Sequence, residues 1–325
     1  SFLLHTLSFC HRHRERQANH HSVFYNRKKK QQRRNKILMN SVLKNIIEII
    51  DVEQIEANLF RGQCHPSEHV FGGQVLAQAI TAAYRTVKQE HQLHSLHSYF
   101  LRPGNSTKPI LFEVDPIRNG KSFSTRRVTA IQNGKAIFTL SSSWQRAETG
   151  LVHSQPLPDL LPPDALRGDL ETFKALSQEQ NEFARFAFRF EAIDSRSVER
   201  TSIAQGESHP PYKNTWLRAR DRLDDEPWIH LGLLAYMSDL DFMSTSMLPH
   251  GREKLRDGIQ GASLDHSIWF HRPFRADDWL LFSKESPHAG GARGFVRGKF
   301  FTRDGHLVAT AAQECLIRPS TPQNS

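Results

Sequence analysis

The chain has 325 residues, 38% of them hydrophobic and 24% charged, enough for two domains of ordinary size or one large one. No stretch approaches the roughly 18 uninterrupted apolar residues of a membrane-spanning helix. Cys10, Cys64 and Cys315 lie far apart without a C-x-x-C spacing, which argues against a disulfide framework or zinc ribbon and for a reducing compartment.

The net charge of +9 is confined to one end. Residues 1–38 hold ten Lys/Arg against a single acidic residue, Glu15, whereas residues 39–325 hold 33 of each sign. A neutral body carries no electrostatic footprint for wrapping a nucleic acid. Residues 1–38 contain the run Arg27-Lys28-Lys29-Lys30-Gln31-Gln32-Arg33-Arg34 and are too polar to form a core. One reading is a basic tether or an acid-poor transit segment. The other is upstream sequence outside the functional protein, since the first Met is Met39, where the composition switches.

In the body, Val75, Leu76, Ala79, Ile80 and Ala83 recur at helical spacing, preceded by Gly72-Gly73. The two glycines permit close backbone approach and leave amide N–H groups available at the helix start. Ile110/Phe112/Val114 and Ala136/Phe138/Leu140 alternate as strands, and Asn133-Gly134 is a hairpin turn signal. Residues 147–175, with Pro156, Pro158, Pro162 and Pro163, read as a linker. Beyond it a helix is expected over Leu231–Met247. Strands are expected near Ser267–Phe270, Trp279–Ser286, Phe295–Thr302 and Leu307–Ile317, with Asp304-Gly305 as a hairpin.

These two halves repeat. His97-Ser98-Tyr99-Phe100-Leu101-Arg102-Pro103 resembles His266-Ser267-Ile268-Trp269-Phe270-His271-Arg272-Pro273, and matching the Arg-Pro pairs gives an offset of 170. Gly120–Val128 resembles Gly291–Lys299, and Asn133-Gly134 matches Asp304-Gly305 at 171. An offset held over some fifty residues predicts a duplicated unit. One helix with a run of antiparallel strands, twice over, gives an α+β class. The expected division is a first unit over 39–146, the linker over 147–175, a second unit over 176–319 and a tail over 320–325.

Several motifs, in order, closely resemble the acyl-CoA thioesterase II family. They are Phe60-Arg61-Gly62-Gln63, Val70-Phe71-Gly72-Gly73-Gln74, Tyr99-Phe100-Leu101-Arg102-Pro103-Gly104, Asp265-His266-Ser267-Ile268-Trp269-Phe270-His271-Arg272-Pro273-Phe274 and Ala292-Arg293-Gly294-Phe295-Val296-Arg297-Gly298. The resemblance spans about Met39 to Arg318. It implies a double hotdog, two fused units each with an antiparallel sheet wrapped around a long helix, and hydrolysis of acyl-CoA to a fatty acid and CoA. It also implies a trio in the second unit, matched here by Asp239, Ser263 (where many members have Thr) and Gln313.

The residue chemistry suits that implication. An Asp among Leu234, Tyr236, Met237, Leu240 and Phe242 sits in an apolar setting that raises a carboxylate's basicity. A Gln amide can orient water without deprotonating it, and a Ser hydroxyl can hold the same water. The Gly72-Gly73 amides are candidates to receive the carbonyl oxygen. Arg293 and Arg297 are candidates for CoA phosphates, although alternating Arg on a strand also describes a solvated face.

Rival chemistries lack their motifs. Gly261-Ala262-Ser263-Leu264-Asp265 misses the final Gly of a nucleophile elbow, and there is no H-E-x-x-H or phosphate loop. His94/His97 and His65/His69 have no further metal ligands nearby in sequence. No metal or cofactor is therefore expected. Two other readings remain: a hydratase of the same fold, which needs an Asp–His pair, and a non-catalytic binder acting through the basic arm. The expected partner is acyl-CoA, with neither nucleic acid nor membrane, and homo-oligomers (dimer or tetramer) are expected by resemblance. Without a secretory signal or a Ser-Lys-Leu-like C-terminus, the expected location is cytoplasmic.

Overall fold

The computed structural model describes residues 39–65, 67, 69–177, 190–199, 207–251 and 258–319. The basic segment 1–38 and the tail 320–325 lie outside them. In chain order the described elements are α1 (Ser41–Ile50), β1 (Glu53–Glu56), β2 (Leu59–Gly62), α2 (Gly72–Tyr84), β3 (His91–Phe100), β4 (Ile110–Asn119), β5 (Phe123–Gln132) and β6 (Lys135–Arg146). Then come α3 (Asp169–Ser177), which begins inside the span expected as a linker, β7 (Ile193–Ser197), β8 (Tyr212–Ala219), α4 (Pro227–Ser238), β9 (Ile259–Ser263), β10 (Asp265–Phe270), β11 (Leu280–Gly290), β12 (Arg293–Thr302) and β13 (Leu307–Pro319).

The strands form one antiparallel sheet in the order β1-β2-β4-β5-β6-β3-β10-β13-β12-β11-β8-β7, with β9 added against β13. The halves meet at β3 and β10, where Tyr99 faces Asp265, His97 faces Ser267 and Ser95 faces Trp269. His97 and Ser267 are 170 apart, so this pair marks the point where one unit turns into the other. The duplication extends to defects in the ladder. A bulge between Asp115 and Arg118 in β4 recurs between Glu285 and His288 in β11, again 170 later. Ion pairs match as well: Arg127–Asp115 at 2.7 Å and Arg297–Glu285 at 2.8 Å. This is the double hotdog that the motifs implied.

The two long helices lie side by side inside the sheet. Every residue of α2 from Gly73 to Ala83 is buried, as the mixture of Val, Leu, Ile and Ala predicts for a helix enclosed on all sides. In α4, Ile229 and His230 and every residue from Gly232 to Ser238 are buried too. They run antiparallel and close together. A Cβ on Gly232 would lie 3.2 Å from Ile50 Cδ1 and near Ala77, and one on Gly73 would meet the Tyr236 carbonyl at 2.7 Å. Leu43, Ile46 and Ile50 of α1 close the remaining side.

The second helix differs from its expected bounds. It starts earlier, at Pro227, whose missing N–H costs nothing in a first turn. It stops at Ser238, and Asp241 then takes a left-handed backbone (φ 55°) before short 3-10 turns at Met243–Ser246 and Leu248–His250. The linker crosses to a small cluster in which Leu157, Leu160 and Leu166 pack on Trp216, Trp279, Leu281 and Phe301. No described helix is long and apolar enough to cross a membrane.

Candidate active site

The site forms where the C-terminus of α4 meets the N-terminus of α2, beneath β13. Asp239 is the residue that ends α4. The start of α2 has no side-chain cap of its own. Its need is met from the other unit, because the Gly73 N–H donates to Asp239 Oδ2 at 2.8 Å. A carboxylate at a helix N-terminus satisfies an orphan donor and sits at the positive end of the helix dipole. Gly72 is required for this approach: a Cβ there would lie 2.7 Å from Asp239 Oδ2 and 3.1 Å from the Phe100 ring.

This geometry revises one expectation. The Gly73 amide is committed to Asp239 and is not available to a substrate carbonyl, which leaves the Gly72 amide from that pair.

Ser263 and Gln313 arrive on neighbouring strands. β13 pairs with β9 at Cys315–Ser263 and with β10 at Ser267–Ala312, so the chain crosses from one pairing to the other at Leu264, whose N–H donates to the Glu314 carbonyl. Gln313 projects inward from β13 and is 1% exposed. Its Nε2 donates to Ser263 Oγ at 3.1 Å, and Ser263 Oγ lies 3.4 Å from Asp239 Oδ1 as donor. The three residues that the resemblance singled out, far apart in sequence, are therefore joined in one hydrogen-bonded chain.

The chain continues through two residues that the sequence reading did not assign to the site. His266 Nδ1 meets Gln313 Oε1 at 2.5 Å, and His266 Nε2 meets Ser238 Oγ at 2.9 Å. His266 is completely buried. Burial pushes its pKa down to about 4, against a smaller upward pull from Gln313, so the ring is neutral at physiological pH. A signal for it exists in the sequence: His266, Ile268 and Phe270 occupy the inward positions of β10, and an alternating strand places a polar ring there only if something inside receives it.

Arg293 and Arg297 are not brought to this chain. In the first half of β12 the buried positions are Gly294, Val296 and Gly298, and the arginines alternate with them on the outer face. Arg293 pairs with Glu314 and Arg297 with Glu285, both at 2.8 Å. Among the described residues, no group of three or more His, Cys, Asp or Glu is placed to hold a metal ion.

A double hotdog with a partly buried Asp–Ser–Gln chain at its helix junction is what the resemblance to acyl-CoA thioesterases implied. Family comparison gives the same answer: the acyl-CoA thioesterase model matches residues 183–316, and the acyl-CoA thioesterase N-terminal domain model matches residues 61–145. The chain is 38% identical over 293 residues to human acyl-coenzyme A thioesterase 8, covering 86% of this chain and 90% of that one. It is 35% identical to acyl-CoA thioesterase 2 of Haemophilus influenzae, covering 86% and 99%. The crystal structure of the acyl-CoA thioesterase II TesB2 from Mycobacterium marinum superposes with a TM-score of 0.71 at 41% identity, covering 85% of this chain and 99% of that one. The chain belongs to the acyl-CoA thioesterase family and is a hydrolase.

Proposed function

We propose that the chain hydrolyses acyl-CoA by direct attack of a water that Asp239 deprotonates and that Ser263 and Gln313 hold. What supports this is the convergence of the three side chains into one hydrogen-bonded chain at the junction of the two units. The water gives one proton to Asp239 and accepts a Gln313 amide N–H with one lone pair. Its other lone pair attacks the thioester carbon. The Gly72 amide, in the first turn of α2, receives the carbonyl oxygen as its negative charge develops. Collapse of the tetrahedral intermediate breaks the C–S bond, and the proton on Asp239 passes to the departing CoA thiolate. No acyl-enzyme forms. A hydratase would place its histidine with the carboxylate, whereas His266 hydrogen-bonds Gln313 and Ser238.

Thiol release from acyl-CoAs of graded chain length, with wild type and Asp239→Asn, tests this reading. The Asn oxygen can still accept from Gly73, so the fold should hold while kcat falls by roughly 10²–10⁴-fold. A folded variant with a third or more of wild-type turnover would remove Asp239 from the reaction. A stoichiometric acyl adduct on Ser263 in rapid-quench mass spectrometry would replace water attack with a covalent route.

A further inference from the structure

We infer that His266 is a positioning residue whose Nδ1–H holds the Gln313 carboxamide one way round, with its nitrogen and not its oxygen facing Ser263 and the water. The inference rests on the assignment of Gln313 as a water-holding residue.

A Gln side chain is nearly symmetric in shape but opposite in hydrogen bonding at its two ends, so something must choose its orientation. Gln313 is buried and has two neighbours along the chain of contacts. Ser263 Oγ can donate or accept and so chooses nothing. His266 can choose, because each nitrogen of a neutral imidazole is either donor or acceptor and one assignment sets the other. With the proton on Nδ1, the ring donates to Gln313 Oε1 and its Nε2 becomes an acceptor. Ser238 Oγ lies 2.9 Å from Nε2 and also donates to the Ala235 carbonyl at 2.8 Å, so its one proton is shared between that carbonyl and the ring. The amide nitrogen of Gln313 is left facing Ser263 Oγ at 3.1 Å, with a second N–H for the water. Ser263 accepts from Gln313 and keeps its own proton for Asp239. From His266 through Gln313 and Ser263 to Asp239, every donor thus points the same way, toward the carboxylate that takes the water's proton.

The first unit shows what the fold needs without this function. The position 170 residues before His266 is Leu96, fully buried, and its partner across the ladder is Ser142. An apolar residue therefore suffices for packing at this place in a hotdog unit. The His266 ring is also held in orientation by Phe242, at a ring separation of 5.7 Å.

The test compares His266→Asn, whose side-chain NH2 reproduces the Nδ1 donor, with His266→Phe, which fills the space without one. For His266→Phe, kcat should fall about 10–100-fold, as for a misplaced catalytic group, with KM within about threefold. His266→Asn should restore most of the loss. In a Gln313→Ala background, His266→Phe should have no further effect on kcat. A folded His266→Phe with wild-type kcat would overturn the inference, as would its full loss persisting in the Gln313→Ala background. Gln313→Ala retaining wild-type kcat by itself would instead overturn the water-holding reading, and the inference with it. Should His266→Phe fail to fold, wild-type protein labelled with 15N-histidine decides. Long-range 1H–15N spectra, with the His266 signals assigned by their loss in His266→Asn, should show a proton on Nδ1. A proton on Nε2 would mean that Gln313 is turned the other way.

Discussion

At the residue scale, the candidate site holds an ionisable ring neutral inside the protein. His266 titrates near pH 6.5 when unfolded and near pH 4 when folded. As pH falls through 6.5 the unfolded chain takes up a proton that the folded chain refuses, so stability is lost progressively down to about pH 4 and this contribution is level below it. The linkage is worth at most about 3 kcal/mol. Many carboxylates also titrate in that range, so the measurement is a difference. Between pH 7 and pH 4, denaturant midpoints should fall more steeply for the wild type than for His266→Asn, which has no ring to protonate. Parallel slopes for the two proteins would show that His266 is protonated in the folded state already.

At the element scale, the segment that carries Asp239 out of α4 is anchored by charge. Lys213 and Lys284 are direct cross-strand neighbours on β8 and β11, an arrangement that like charges disfavour. Asp241 lies between them, 2.5 Å from Lys213 Nζ and 3.7 Å from Lys284 Nζ. Burial depresses the Lys284 pKa to about 8, and Asp241 counters it. Asp241→Asn tolerates the left-handed backbone but leaves a buried and a partly buried ammonium group side by side without a carboxylate. It should destabilise the protein by about 3 kcal/mol, read from urea midpoints, and Lys284→Met added to it should recover part of the loss. A change under about 0.5 kcal/mol in the single variant would show that the cluster is fully solvated. The same anchor explains why the expected helix over Leu231–Met247 was too long. Apolar periodicity runs on past Asp239, but the clamp that turns the chain at Asp241 comes from lysines 28 and 43 residues away, and no local pattern reports it.

At the scale of the whole molecule, the duplication, the hairpins and the buried α2 were legible because a repeat and a periodicity are properties of the chain itself. The Asp–Ser–Gln trio was legible only by resemblance, since its members meet through tertiary pairing of β13 with β9 and β10. The inward place of His266 could be read from the alternation of β10, but its partners and the capping of α2 by Asp239 could not, because both are contacts made across the assembled fold. That capping makes the site a joint product: the carboxylate belongs to the second unit and the Gly73 donor to the first. The linker, by contrast, contributes nothing to the site. Leu151 and Val152 stand exposed in it, while the two units are joined independently by the β3–β10 ladder and by the packing of α2 on α4. Limited proteolysis should therefore cut near Leu151–Val152 first. The two fragments should co-elute on size exclusion and retain most thioesterase activity, because the buried junction, and not the covalent linker, aligns Asp239 with α2. Fragments expressed separately should each be inactive, the first lacking the trio and the second lacking the helix start that holds its carboxylate. Activity in the isolated second unit would show that the Gly73–Asp239 contact is dispensable, and separation of the nicked halves on dilution would show that the linker holds the molecule together.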